Sequence, residues 1–396
     1  MAEIERGAVH IVLFSALLIV FSPYLAFVPT IFTTFRMLQK GDFILVTVWD
    51  IGLFFLFIWS LFVGVINTNE ISAVASLAIL FYFFLSVYLQ NYYNNEEEIE
   101  KLLGNFLFVS IGSAFIGIIE RYTTIHYEPA WWKHLFGIYP LVSFRESSRI
   151  SGTFGNPNVA GIWYAVMTLI CYYFYQNSSK PKKGFYVLGI GLFISVLLMT
   201  GSRGAIIGLI LGLAVYAYFT GHKKRMVFLI LLLISGVALM FIFPEWFPRG
   251  HNLFNSVKDR GAIWANCFNM FKYKPITGWG LMGIYFANDS VYHYLKTFHG
   301  HNIWITIATT MGIVGLGIFI YMKYYLFEQI KVLNQYHCRL TPLLAGIEVA
   351  VLGQGLLDFT IMNPQAGIIF ISCSAIINGL AFQYSNRIIG QYFYIR

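Results

Sequence analysis

The segment 198-LMTGSRGAIIG-208 interrupts 36 residues, from Phe185 to Thr220, that are otherwise almost wholly apolar. Apolar runs on both sides of a Gly-Ser-Arg turn predict two neighbouring membrane-spanning helices. An arginine at membrane depth costs several kcal/mol if it faces lipid, so we expect Arg203 to face a cavity or a partner. A single interfacial arginine whose guanidinium reaches the phospholipid headgroups would give the same local pattern.

The composition of the whole chain agrees with a membrane protein. Only 11% of the 396 residues are charged and 58% are hydrophobic, with a mean hydropathy of +0.67. Soluble proteins carry roughly 25% charged residues. The four cysteines form no CxxC pair, so they indicate neither a disulfide framework nor a metal site. The net charge of +8 lies mostly in short loops beside spans, which favours topology signals over nucleic-acid binding.

Hydropathy predicts an all-α polytopic membrane protein with about 11 (10–12) transmembrane helices and no separate soluble domain. The first span follows the short start MAEIERG without a small-residue cleavage site, so we predict a retained span rather than a signal peptide. The predicted spans are 9–30, 43–66, 71–93, 102–120, 157–176, 185–200, 204–220, 226–244, 303–322, 341–360 and 366–384.

Basic residues set the orientation, because cytoplasmic loops carry an excess of lysine and arginine. From the fifth span onward the basic clusters fall on one side, which we therefore predict to be cytoplasmic. Two long loops, 121–156 and 245–300, then lie on the external face, and loops this long tend to be functional or partly structured. The basic clusters are Lys180, Lys182 and Lys183, 222-HKKR-225, the group Lys323, Lys331 and Arg339, and Arg387 with Arg396.

The predicted external face carries at least three arginines, Arg149, Arg203 and Arg260, together with His299 and His301. Guanidinium groups bind phosphate oxygens through two parallel hydrogen bonds, which lysine cannot do. Several arginines beside a bilayer therefore indicate a lipid phosphate or pyrophosphate as ligand.

Other motifs are less specific. In 149-RISGTFGNPNVAG-161 the glycines and Pro157 predict a turn. Asn156 and Asn158 are better helix caps than catalysts, and Asn158 is expected to cap the fifth span.

The GxGxxG match at 278–283 lacks a preceding buried strand, which argues against a dinucleotide site. His299 and His301 have no third ligand at a suitable local spacing, so we predict no metal site.

Three carboxylates fall within or beside predicted spans: Asp50, Glu348 and Asp358. Such groups can form an ion or proton pathway. Pairing with arginines or polar groups inside the bundle is the favoured interpretation.

Four motifs in succession carry a family resemblance. They are RxSGTFxNPN, then TGSRGA, then a long external loop with DR and GxG, and finally HxHN entering a span. Over about residues 145–325 this order resembles the O-antigen ligase/polymerase superfamily of membrane glycosyltransferases. The resemblance implies a GT-C-like fold formed by one transmembrane domain, residues 1–396, whose external loops 121–156 and 245–300 form the active-site face.

The resemblance also implies the reaction. Such enzymes transfer a glycan from an undecaprenyl diphosphate carrier to an acceptor hydroxyl on the outer face of the cytoplasmic (inner) membrane. The arginines essential to the family fall on Arg203 and Arg260, which we expect to bind the donor diphosphate, and its essential histidine falls on His301. Arg149, His299, Asn302 and Trp279 are further candidates for contact with substrate.

The residues agree with that chemistry. Fixed guanidinium groups stabilise the charge on a departing diphosphate without a metal, and histidine can act as a base near neutral pH. Asn302 can cap the ninth span and so hold His301, although an interfacial histidine at a helix start would look the same. We expect no cofactor.

The predicted function is a polymerase of lipid-linked repeat units, with a ligase that transfers the glycan to lipid A-core as the alternative. The partners are a donor glycan on undecaprenyl diphosphate, a glycan or lipid-linked acceptor, membrane lipids and, for a polymerase, a chain-length regulator. A flippase or transporter using Asp50, Glu348 and the arginines is a third candidate. Against it, polar residues concentrate on the external face, and no repeated pair of broken helices is evident.

Overall fold

The computed structural model describes residues 16–22, 25, 44–122, 149–247, 250–287, 295–385 and 392–395. Apart from one short antiparallel strand pair, this part of the chain is helical. The elements are β1 Ile44–Thr47, α1 Val48–Ile66, α2 Glu70–Ala75, α3 Leu77–Tyr92, α4 Glu96–Tyr122, α5 Pro157–Asn177, α6 Lys180–Thr200, α7 Arg203–Phe219, α8 Lys223–Ile242, α9 Leu253–Tyr273, α10 Gly283–Phe286, α11 Ile303–Gln335, α12 Thr341–Gly355, α13 Pro364–Ser385 and β2 Tyr392–Ile395.

Helices occupy every predicted span from the second to the eleventh, so the all-α polytopic fold is confirmed. Within the described residues, seven segments are long and apolar enough to cross a bilayer: α1, α2 with α3, α4, α6, α8, α11 and α13. Most of the first predicted span, 9–30, and most of the loop 121–156 lie outside the described residues. The loop 245–300 contains α9 and α10, as expected of a partly structured loop.

The core centres on α5, where 15 of the 21 residues are buried, including Trp163, Tyr164 and Tyr173. A helix enclosed by other helices needs no lipid-facing side, which explains why aromatic and polar side chains are tolerated along it. At the other extreme, none of the α8 side chains is buried. An apolar helix exposed all round suits contact with lipid.

The glycines that follow Arg203 make close contact between α7 and α12. A Cβ added to Gly212 would lie 2.7 Å from the Gly346 carbonyl oxygen, and one at Gly208 would collide with the Ala350 carbonyl. In the sequence Gly204, Gly208 and Gly212 recur every four residues, which predicts a stripe for close helix packing, and these contacts confirm that prediction. The contact matters for function, because α7 begins at Arg203 and the chain leaves α12 toward Asp358.

One helix of the bundle is broken. Gly312 in α11 has φ 65° and ψ −168°, and the freed backbone groups are bonded by the turn 275–280. The Ile313 amide donates to Pro275 (2.8 Å), while the Trp279 amide donates to the Thr309 carbonyl (3.1 Å). Satisfying these groups within the protein is what allows a break at membrane depth. It also fixes the second long loop onto the helix that begins just after His301.

Two of the carboxylates in spans are paired inside the bundle, as predicted. Asp50 accepts hydrogen bonds from Ser86 and Gln90 at 2.6 and 2.5 Å. Glu348 pairs with Lys323 at 2.9 Å. The prediction that Lys323 follows the ninth span is therefore wrong, because α11 continues to Gln335 and buries this lysine against Glu348.

We expect Gly208→Val to lower the melting temperature of the detergent-solubilised protein. The added side chain would push α7 away from the Ala350 carbonyl, and overpacking of this kind costs about 1–3 kcal/mol. Gly236→Val on α8 is the matched control, since a Cβ there has no neighbour within 4 Å. Equal melting temperatures for the two variants would contradict the packing role of the stripe.

Candidate active site

The Asp358 carboxylate joins the segments that carry most of the predicted site residues. It lies just beyond α12 and is 5% exposed. One oxygen, Oδ1, lies 3.0 Å from His301 Nδ1 and accepts from the Phe359 amide at 2.8 Å. The other, Oδ2, accepts from the Asn158 side-chain amide at 2.5 Å. A single carboxylate thus connects the starts of α5 and α11 with the end of α12.

His301 is held by backbone and side chain together. It has φ 46°, a left-handed conformation that is uncommon for a residue other than glycine and that concentrates at functional sites. The next residue, Asn302, caps α11 by accepting from the Trp304 and Ile305 amides, as predicted. With Nδ1 directed to Asp358, Nε2 is the ring nitrogen left to accept a proton.

Asn302 is also bonded through its other side-chain atom, which donates to the Leu356 carbonyl at 2.9 Å. Both the oxygen and the nitrogen of this side-chain amide are therefore hydrogen-bonded within the protein. The geometry supports a positioning role for Asn302 rather than the predicted contact with substrate.

His299 packs beside the same carboxylate. Its Nδ1 lies 3.8 Å from Asp358 Oδ1 and accepts from the His301 amide at 3.2 Å. The two imidazole rings meet at 67° with centroids 4.4 Å apart. Burial lowers the pKa of His299 to about 4, although the negative charge of Asp358 opposes that change.

Asp358 keeps its charge despite burial. Burial alone would raise its pKa, but the hydrogen bond from His301, the charges of both histidines and the Phe359 amide together lower it to about 2. An ionised Asp358 stabilises the Nδ1–H tautomer of His301, because a carboxylate only accepts hydrogen bonds.

Asn158 departs from its predicted role. The cap of α5 is Asn156, whose side chain accepts from the Asn158 amide at 2.8 Å. Asn158 instead bridges Asp358 and Arg149, accepting from the guanidinium at 2.7 Å. Arg149 also donates to the Thr200 carbonyl at 2.6 Å, beside the turn before Arg203. A chain of polar contacts therefore runs from the α6–α7 turn to the histidines.

Arg203 is the first residue of α7, directly after Gly201 (φ 61°) and Ser202, so its predicted place in the turn is confirmed. Arg260 lies within α9 and is half-buried. That helix packs on α11, where Thr309 Oγ1 donates to the Cys267 carbonyl at 3.2 Å. Arg203 thus shares the end of the bundle occupied by His301, and Arg260 lies on the loop helix attached to α11.

Trp279 is 3% exposed. Its indole nitrogen donates to the Met270 carbonyl at 2.8 Å, and Lys274 Nζ lies 4.3 Å from the ring centroid. An indole this enclosed offers little surface to a sugar, so the geometry supports a packing role.

Three of these side chains could hold a metal ion: His299, His301 and Asp358, whose candidate ligand atoms lie within 4.8 Å of one another. Local spacing offers the two histidines no third ligand, whereas the fold brings in Asp358 from 57 residues further along the chain. Two histidines and a carboxylate suit several divalent transition metals. Metal independence itself stays a prediction.

The fold and this polar cluster define a multi-pass helical membrane protein with histidine, aspartate and arginine side chains gathered at one end of its bundle. Residues 188–320 match the model of the O-Antigen ligase family. Within that match lie Arg203, Arg260, His299 and His301, whereas Arg149 and Asp358 fall outside it.

A curated relative agrees with the family match. The chain is 24% identical over 295 residues to the Teichuronic acid biosynthesis protein TuaE of Bacillus subtilis (strain 168). The similarity covers 66% of this chain but only 57% of the relative. Both matches support an O-antigen ligase/polymerase-like membrane family, which confirms the resemblance found in the motifs.

The shifted pKa values predict how stability depends on pH. In the unfolded chain His299 is protonated below about pH 6.5, whereas in the folded protein it is protonated only below about pH 4. Between these values the unfolded state binds more protons, so the free energy of unfolding decreases as pH falls. The contribution of Asp358 is present above pH 3.8 and is lost only as pH falls toward 2.

Melting temperatures measured between about pH 4.5 and 7.5 test the His299 contribution. His299→Asn should flatten the decrease at acidic pH, whereas His222→Asn, which changes an exposed histidine, should not. An unchanged slope in His299→Asn would contradict the assignment.

Proposed function

We propose that this protein is a polymerase that joins undecaprenyl-diphosphate-linked oligosaccharide repeat units into a surface polysaccharide. The observation that carries the proposal is the His301–Asp358 hydrogen bond, which lies at the same end of the bundle as Arg149 and Arg203. A histidine oriented by an ionised carboxylate is the arrangement that activates hydroxyl groups in many transferases and hydrolases.

In the proposed step, an acceptor hydroxyl attacks the anomeric carbon of the donor glycan. Its proton goes to His301 Nε2 as the new carbon–oxygen bond forms. The bond from the anomeric carbon to the diphosphate oxygen breaks, and undecaprenyl diphosphate leaves with the electron pair. Asp358 stabilises the imidazolium that results.

Arg203 and Arg260 are the proposed ligands of the donor diphosphate. Negative charge accumulates on the departing oxygen, and preorganised guanidinium groups in a site of low dielectric stabilise it strongly. Arg149 is held by Asn158 and Thr200, so we assign it to the wall of the same site. The reaction takes its energy from the donor diphosphate, consistent with the external active-site face that we propose for the cytoplasmic membrane.

The name of the relative favours polysaccharide assembly, because TuaE is a teichuronic acid biosynthesis protein. The description of the matched family supports the alternative, a ligase that transfers the glycan from undecaprenyl diphosphate to lipid A-core. A flippase is less well supported, since Asp50 and Glu348 are bonded to neighbouring side chains inside the bundle.

Reconstitution with one defined lipid-linked repeat unit tests the proposal. A ladder of products without any other acceptor is expected of a polymerase. Product formed only after lipid A-core is added would instead establish the ligase.

A metal-stripped sample in excess EDTA should retain activity. If activity is lost and is restored by zinc, magnesium or manganese, His299, His301 and Asp358 would be assigned to a catalytic metal.

Arg203→Lys and Arg260→Lys should each reduce turnover at least about tenfold, because lysine keeps the charge but loses the bidentate contact. Binding of the donor, measured with a fluorescent analogue, should weaken in parallel. Arg339→Lys, at the opposite end of α11, is the control expected to behave as wild type. Normal turnover in both site variants would refute the diphosphate assignment.

His301→Ala should reduce transfer by roughly 10²–10⁴-fold with normal folding and donor binding. Asp358→Asn should reduce it too, and the double variant should be no slower than the worse single one, since both changes disable one unit. His337→Ala is a matched control, because His337 also has a positive φ (56°) but lies beyond the other end of α11. Additive losses would show that the two residues act separately.

A further inference from the structure

An apolar cavity of about 260 Å³ lies between α1, α3, α11 and α13. Its walls also include residues of the turn around Leu281 and of the segment that follows Asp358. Apart from the rings of Trp49 and Tyr82, the lining side chains are hydrocarbon or thioether groups. A cavity of this kind favours an apolar ligand over water, which needs polar partners.

The lining of the cavity includes residues of α11 on both sides of the break at Gly312. Ile307 and Met311 precede the break, and Phe319 and Met322 follow it. Apolar walls that continue past a bend suit a flexible hydrocarbon chain better than a rigid, compact ligand.

Methionine is concentrated in the walls. Four of the 11 methionines in the chain line this one cavity: Met282, Met311, Met322 and Met362. Flexible thioether side chains adapt to irregular apolar ligands, and they are enriched at surfaces that must accommodate such partners.

One end of the cavity is beside the catalytic candidates. Phe359 forms part of its wall, and its backbone amide donates to Asp358 Oδ1. The His299 and Phe359 rings lie 6.1 Å apart. A hydrocarbon chain bound in the cavity would therefore lie next to His301.

A buried charge lies behind another part of the wall. Three wall residues, Trp49, Phe319 and Phe370, also surround Lys323 Nζ at 4.6, 5.8 and 3.7 Å from their ring centroids. Lys323 is fixed there by Glu348. A hydrocarbon chain that reached past these rings would meet an ion pair, so the cavity admits only a limited length of chain.

We infer that this cavity binds one segment of the polyprenyl chain of a lipid-linked substrate, with the diphosphate head at the His301 end. The inference rests on the proposed function for the identity of the substrate. The shared chemistry is a hydrocarbon chain with a polar head, so a phospholipid acyl chain is the competing source.

Photolabelling tests the site without requiring turnover. Purified protein in nanodiscs is irradiated with undecaprenyl diphosphate that carries a diazirine on the isoprene units next to the head. Labelled peptides should map to the start of α11 around Ile307 and to the segment around Phe359, and unlabelled undecaprenyl diphosphate should abolish the signal. A phosphatidylglycerol probe with an acyl-chain diazirine should label these positions weakly. If only the phospholipid probe labels these positions, or if neither probe does, the inference is overturned.

Filling the cavity provides the second test. Ala78 lines the cavity at a position that is also exposed, so Ala78→Phe should narrow the cavity from its exposed side, and Ala78→Leu should narrow it less. Ala238→Phe on α8, at an exposed position, is the matched control. We expect Ala78→Phe to reduce labelling and to raise KM for the long-chain donor about tenfold, as loss of an apolar contact does, with a smaller effect for Ala78→Leu.

A donor with a single isoprene unit separates the possible causes. It cannot fill the cavity, so wild type and Ala78→Phe should use it equally; a parallel loss with both donors would indicate general damage and contradict the inference. Specific labelling in a wild-type protein that transfers no glycan would refute the proposed function and leave the lipid site intact.

Discussion

The buried carboxylate of Asp358 is the interaction on which the arrangement of the site depends. Its oxygens accept hydrogen bonds from His301, Asn158 and the Phe359 amide, which belong to three separate segments of the chain. A charge this enclosed is stable only when its hydrogen bonds are satisfied, so the segments must meet in one way. The same requirement that stabilises the carboxylate orients the imidazole beside it.

Close helix packing brings the segments around Asp358 together. The glycines of α7 allow its backbone to approach α12, which sets Arg203 at the same end of the bundle as Asp358. The break at Gly312 also allows a close approach of two backbones. The turn 275–280 of the second long loop hydrogen-bonds to α11 at the break, and α9 is thereby held against α11. Both devices depend on residues without a side chain, because only there can two backbones come so near.

The polar network and the apolar cavity share a boundary at Phe359. On one side of it lie the histidines and the chain of contacts to Arg149, and on the other lies the apolar cavity. A substrate with a charged head and a long hydrocarbon tail needs both environments in contact. The proposed transfer reaction and the proposed lipid site are thus two consequences of one geometry.

Sequence alone determined the helical membrane fold, the turn at Arg203, the close-packing stripe and the family resemblance, because these follow from hydropathy, glycine spacing and motif order within short stretches. Tertiary structure decided what spacing could not: the partnership of His301 with Asp358, the bridge through Asn158 that was expected to be a cap, and the burial of Lys323 against Glu348. Each of these pairs joins residues that are distant in sequence, and a hydrogen bond between them exists only once the helices have packed. Ionisable groups inside a bilayer must find partners, but which partners they find depends on the packing.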